Sequence, residues 1–430
     1  MLLPYNTAIK YQQSGCDMSF TYIARRPIFN RKQNTVGYEL LFYEGENNAF
    51  PDSSDVPSYS SHKCIDEFIN SNINTNYHSS RCFIHFSYKS LIHLVPMSLP
   101  KDKIVIEILE TCIPTDELLS AIIHLNRNGY LISCDEFVLS NKWTAFKPYI
   151  KIVNIDVAHR NIKDTCNFIR KLRSIGSKCI LLAKNIENKE QFDQVQDVGC
   201  RFFHGEFFTK SQKNKSENME PEQVSALNLF AEICKNQVNF NTVEKIIEQD
   251  ITMSFKLLSF VNSLSIRLKQ PISSFRQALV YLGEERLKMF VSMIAASYMS
   301  NRKPFELYKL SMQRAQFCLQ MSKHSHFRDY QTFAFMIGMS SLLDAMLDNT
   351  LELILEAIPL SDDIKNSLLQ KNGPIGDLII LAEHYEQANW KGIGQQCSKL
   401  DIQVSEVYDA MEEAKIWSCE VFQAIQSINV

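Results

Sequence analysis

The chain has 430 residues, 45% hydrophobic and 22% charged, with a formal net charge of −3 and a pI near 6.4. That length favours two domains over one, and so balanced a charge gives no electrostatic case for a nucleic-acid partner. No stretch approaches the ~20 apolar residues of a membrane span, the opening MLLPYNTAIKYQQ lacks the pattern of a signal peptide, and twelve scattered cysteines without a C-x-x-C pair fit a reduced, cytoplasmic setting.

Residues 1–17 show no periodicity and are expected to form an N-terminal extension. Short apolar runs follow at FTYIARRPI (20–28), VGYELLFY (36–43), CFIHFS (82–87), IVIEIL (104–109), YLISCDEF (130–137), IVNIDV (152–157), CILLAKNI (179–186) and RFFHGEFF (201–208). Amphipathic charged stretches separate them. Three of these end at Gly129, Gly176 and Gly199, where glycine can take the positive φ of a helix stop. Runs of this kind, recurring every ~25 residues after the second, describe a repeated β-α unit, and eight of them suffice to close a (β/α)₈ barrel.

Polar residues interrupt these runs at Glu39, His85, Glu107, Asp135, Glu136, Asn154, Lys184 and His204. One of them alone would read as a hydrogen-bonded interior residue. Eight along successive strands point to a shared site at the C-terminal mouth of a barrel, present or ancestral.

TKSQKNKSENMEPEQ (209–223) is polar, carries Pro221 and lacks apolar periodicity, as a linker would. Beyond it every apolar stretch has helical spacing. The expected division is an extension over 1–17, a barrel over 18–212, a linker over 213–223 and an all-α domain over 224–430.

These motifs resemble two families. Residues 18–212 resemble the EAL domain, a barrel whose active members are metal-dependent phosphodiesterases of cyclic di-GMP. GYELL (37–41) stands at the signature E-A-L, IEILE (106–110) resembles E-x-x-E through Glu107 and Glu110, and CDEF (134–137) resembles D-D-F. NID (154–156) resembles K-I-D, AKNIE (183–187) resembles A-E-G-V-E, and GCRFFHGEFF (199–208) resembles the closing Q-G stretch. The helical half resembles the HDOD domain through LLSFVNS (257–263), with Asn262 and Ser263, through ISSFRQALVYLG (272–283), ending at Gly283, and through AFMIGMSSLLDAML (334–347). The order of the two halves resembles the EAL–HDOD fusions of bacterial signal transduction.

The resemblance implies that Glu39 is a metal-binding glutamate, and it exposes departures. His85 replaces an asparagine ligand, Glu136 is one methylene longer than its aspartate, and Asn154 replaces a lysine. Lys184 replaces a glutamate, His204 a glutamine, and Tyr43 the arginine that grips substrate phosphate. The HDOD half lacks an H-D dipeptide; Met339, Ser340 and Ser341 stand where it would fall, and His324 and His326 do not share a helix face.

Each lost group is typically worth ~10²-fold in rate, so the expectation is a catalytically silent barrel. The chain would then be a non-enzymatic signalling protein, acting on regulatory protein partners in a cyclic di-GMP or two-component network controlling motility, attachment or biofilm. No cofactor is expected, with magnesium or manganese entering only if the barrel is active. Glu39, His85, Glu107 and Asp135 are nonetheless metal-ligand types. The alternatives are a cyclic di-GMP receptor and an active phosphodiesterase with altered metal use.

Overall fold

The structure is a computed structural model and describes residues 23–42, 50, 81–135, 140–174, 178–209, 219–235, 237–263, 272–300 and 303–426. The N-terminal extension, Tyr43, Glu136, Gly176 and most of the expected linker lie outside the described residues.

Eight strands close a barrel in sequence order: β1 (Ile23–Asn30), β2 (Thr35–Phe42), β3 (Arg81–Phe86), β4 (Ile104–Ile108), β5 (Leu131–Asp135), β6 (Ile152–Asp156), β7 (Ile180–Lys184) and β8 (Phe202–Phe203). Each falls within or one to two residues of an apolar run in the sequence. The architecture differs from a uniform (β/α)₈ barrel at one strand: β1 runs antiparallel to both β2 and β8. The cause is local. Residues 31–34 join β1 to β2, too few for the crossover a parallel pair needs. Asn30 Oδ1 accepts from the Lys32 and Asn34 amides at 2.9 and 3.0 Å, and Gln33 takes φ 59°, so an Asx-type turn reverses the chain.

The later strands are parallel and carry helices between them, including α1 (Asp116–Arg127), α2 (Ile162–Ser174) and α3 (Lys189–Asp197). Thr115 caps α1 by accepting from Leu118 N, and Asn188 caps α3 by accepting from Gln191 N. Their apolar faces pack on the outward side chains of the strands. Inside the barrel Ile28, Phe83, Val105, Ile152 and Leu182 form a separate apolar plug.

The helical half opens with α4 (Pro221–Ile233), whose first residue is the proline that the sequence suggested as part of a linker. Proline is well suited to this position, where its missing N–H would have no helical partner anyway. Further helices include α5 (Glu284–Met299), α6 (Phe305–Met321), α7 (Ala334–Ser340), α8 (Gly373–Glu386) and α9 (Val404–Gln426). Asn262 pairs with the Ile272 backbone: its Nδ2 donates to Ile272 O at 2.8 Å and its Oδ1 accepts from Ile272 N at 2.7 Å. Gly283, with φ +78°, turns the chain from helix Phe275–Leu282 into α5.

Because no crossover helix joins β1 to β2, the helical half covers that part of the barrel. Ala24 and Leu41 belong to its core. Tyr38 Oη donates to Glu306 Oε1 of α6, while Ile23 O accepts from Tyr385 Oη at 3.1 Å and Lys415 Nζ at 2.9 Å. Among the described residues no helix is long and apolar enough to cross a membrane.

Candidate functional site

Successive residues of a strand face opposite ways, and this places the polar positions. On β3 to β7 the plug residues Phe83, Val105, Ile152 and Leu182 are followed two positions later by His85, Glu107, Asn154 and Lys184, all on the barrel interior and nearer the C-terminal ends. Register adds the rest: Glu39 sits opposite Arg26 and beside Phe83, His85 beside Glu107, Asp135 beside Asn154.

The side chains converge on Glu107. Its Oε1 accepts from Asn154 Nδ2 at 2.7 Å, Lys184 Nζ at 2.5 Å and His85 Nε2 at 2.9 Å, while its Oε2 is buried without a hydrogen-bond partner. Lys184 Nζ also reaches Glu39 Oε1 at 2.8 Å, and His85 Nε2 lies 3.5 Å from that oxygen. His204 Nε2 lies 3.8 Å from Glu39 Oε2. Asn154 donates to Asp135 Oδ1 at 3.1 Å and accepts from Ser133 Oγ at 3.2 Å. Glu107 and Asn154 are fully buried; His85, Asp135 and Lys184 are partly open.

The electrostatics follow from this packing. Burial alone would raise both glutamate pKa values, but Lys184 and His85 together, joined at Glu39 by His204, outweigh it and hold Glu39 and Glu107 below the ordinary carboxylate range. Burial would lower Lys184, but Glu107 and Glu39 outweigh it and raise Lys184. Asp135 is raised, mainly by burial. Burial pushes His204 down to about 4, so it is neutral at pH 7.

The donor set can hold a divalent ion. Glu39, His85 and Glu107 each offer one ligand atom, all within 4.8 Å of one another. The free Glu107 Oε2 is an acceptor already desolvated and awaiting a partner. Two carboxylates with an imidazole suit manganese or zinc better than magnesium.

The structure therefore brings Glu39, His85, Glu107, Asp135, Asn154, Lys184 and His204 to one mouth; Glu110 is exposed outside it. Two contributors were missed in the sequence. Ser133 supports Asn154, and its place two residues before Asp135 on β5 was the available signal. Arg26 faces Glu39 across the β1–β2 pair and donates to Gln387 O of the helical half; the short turn after Asn30 was the clue.

The helical half holds no comparable cluster among the described residues. Gly338 packs so closely on α6 that a Cβ would lie 2.5 Å from Arg314 O. Arg314, buried, pairs with both Glu386 oxygens at 3.0 and 2.6 Å and donates to Ser341. Met339 and Ser340 are fully buried, and His326 lies 3.7 Å from Asp377.

An HDOD domain family model matches residues 221–342. The chain is 45% identical over 408 residues to the cyclic di-GMP phosphodiesterase CdgJ of Vibrio cholerae, covering 95% of this chain and 94% of that one. It is 28% identical over 411 residues to the uncharacterized protein YuxH of Bacillus subtilis, covering 94% and 99%. Among solved structures, the cGMP-bound EAL enzyme Bd1971 is 16% identical, with a TM-score of 0.36 over 43% of this chain and 60% of that one. A standalone EAL protein from Vibrio cholerae O395, bound to c-di-GMP, is 18% identical, with a TM-score of 0.33 over 46% and 93%.

The expectation of a non-enzymatic protein is corrected by the first of these relatives, which is named as a phosphodiesterase and matches nearly the whole chain. The physical reason lies in the folded mouth. Scoring each departure as a separate loss treats the positions as independent. In space the departures are coupled: Asn154 and Lys184, on neighbouring strands, both contact the same Glu107 carboxylate.

Proposed function

This chain belongs to the EAL–HDOD fusion family, and on that premise we propose that it is a cyclic di-GMP phosphodiesterase with altered metal use, taking one divalent ion of the manganese or zinc class. The observation that carries this reading is the convergence of Glu39, His85 and Glu107 on one locus at the barrel mouth. The name of the relative that is 45% identical supports the substrate.

Bound there, such an ion would supply Lewis acidity toward a phosphoryl oxygen. The protein's own groups do the rest. Glu39, Glu107 and His85 hold the site, and Asn154 fixes Asp135 by donating to its Oδ1. Asp135, partly open and with a raised pKa, is placed to take the proton of the attacking water. Water oxygen bonds to phosphorus, one ester P–O bond breaks, and the departing ribose oxygen takes a proton from solvent while Asp135 returns the proton it removed to solvent, leaving the linear dinucleotide. We assign this chemistry to the barrel, with a domain boundary between residues 209 and 219, and assign the helical half the role of covering β1 and β2.

The test is incubation of the purified full chain with cyclic di-GMP and manganese, zinc or magnesium, with the linear product resolved by chromatography. Turnover with manganese or zinc above that with magnesium, abolished by chelation, is expected. Absence of linear product with every ion overturns the reading.

A further inference from the structure

Lys184 stands where that ion would stand. Its Nζ lies 2.8 Å from Glu39 Oε1 and 2.5 Å from Glu107 Oε1, the two oxygens that His85 Nε2 approaches at 3.5 and 2.9 Å. First-row divalent ions bond oxygen and imidazole nitrogen at about 2.0–2.2 Å. An ion drawing on these donors therefore falls inside the space the ammonium fills. Like charges so close repel strongly in a buried site, so the two cations cannot share both oxygens.

We propose that Lys184 is a tethered competitor of the divalent ion, neutralising the Glu39–Glu107 pair in the metal-free chain and leaving that seat when the ion enters. This rests on the reading of the mouth as an ion site and adds what governs its loading. A second observation points the same way. Glu107, fully buried, takes three donors on Oε1 and none on Oε2. The ammonium thus leaves this buried carboxylate incompletely satisfied in the metal-free chain. Asp135, also within the electrostatic reach of Lys184, offers the displaced ammonium another partner on the same mouth.

The competition is specific to this residue. A neutral side chain at position 184 would leave two buried carboxylates with His85 alone beside both, a state costly without an ion and favourable with one. The metal-free chain would lose stability and the affinity for the ion would rise together.

The experiment is calorimetric titration of manganese into the full chain and into Lys184→Met, without nucleotide. The variant is expected to bind at least about tenfold more tightly, and to melt lower than the wild type without manganese, recovering when it is added. Affinity equal to or weaker than wild type overturns the proposal. The wild type supplies a second measurement should the variant fail to fold: acylation of Lys184, followed by mass spectrometry, should increase when zinc saturates the site. Unchanged labelling at saturation also overturns it. Tighter binding by the variant while neither chain cleaves cyclic di-GMP supports the competition and sinks only the phosphodiesterase reading. Cleavage by both chains with equal manganese affinities does the reverse.

Discussion

Tyr38 donates a 2.6 Å hydrogen bond to Glu306, a buried contact between residues 268 positions apart. Tyr38 is followed on β2 by Glu39, and consecutive strand residues face opposite sides. One residue is therefore tied to the helical half while its neighbour points into the mouth. Tyr38→Phe should cost about 1–2 kcal/mol, read by urea denaturation. A larger loss in hydrolysis than in stability would mark the bond as a positioning contact for Glu39; a stability loss alone would limit it to holding the halves together.

Glu39→Gln and Glu107→Gln keep the shape of the mouth and remove one carboxylate charge each. Hydrolysis of cyclic di-GMP at fixed manganese should fall by about 10²-fold or more in either variant. Glu107→Ala, by contrast, leaves Lys184 and His85 without their shared acceptor and should cost about 3–5 kcal/mol of stability. Steady-state kinetics and denaturant melts separate the two effects. Unchanged turnover in both glutamine variants would remove the metal cluster from the mechanism.

Two glycines in this chain are required for different reasons. A Cβ at Gly205 would lie 2.2 Å from Ile186 O and 2.3 Å from Ile186 N, where β8 closes on the loop after β7. Gly283 has open space around it but φ +78°. Gly283→Ala should therefore cost about 1–3 kcal/mol, the penalty of a backbone conformation that side chains rarely adopt. Gly205→Ala meets backbone and should cost roughly 3 kcal/mol or more. Thermal melts that rank the two the other way would contradict the packing described at β8.

His204 gives the chain an acid-sensitive window. Its folded pKa is lowered by burial to about 4, whereas an unfolded histidine titrates near ~6.5. As pH falls below ~6.5 the unfolded chain takes up a proton the folded chain refuses, so stability is lost progressively down to about pH 4. His204→Asn should shrink the stability difference between pH 7 and pH 5 by about 1–2 kcal/mol, measured by urea melts at both values. An unchanged difference would mean that His204 is not the group responsible.

The strands were legible because their apolar runs are bounded by charged amphipathic stretches, and all eight lie where those runs fall. The reversed direction of β1 was not, although the short turn after Asn30 carried the information; a barrel template suggested a parallel strand, and turn geometry decided otherwise. Pro221 illustrates the same difficulty, since one residue type both ends and begins helices. At the mouth, the sequence reading rested on eight polar residues falling within or at the ends of successive strand runs, and seven of them lie on the barrel interior among the described residues. What position in a run could not convey was distance: that Asn154, Lys184 and His85 share a single oxygen of Glu107 is a fact of side-chain reach across four strands. Silence of the barrel was inferred from letters, whereas charge balance is a property of the assembled site.

Ile23, the first described residue of β1, takes its carbonyl hydrogen bonds from Tyr385 and Lys415, which follow it by 362 and 392 positions. During translation at about 5–20 residues per second the ribosome needs roughly 20–80 s to deliver that last partner. Throughout this interval the β1–β2 hairpin faces the ribosome's surroundings without its cover. The nascent barrel is thus obliged to wait, and a chain released before α9 emerges carries a bare sheet face into the cell, where chaperones and proteases compete for it.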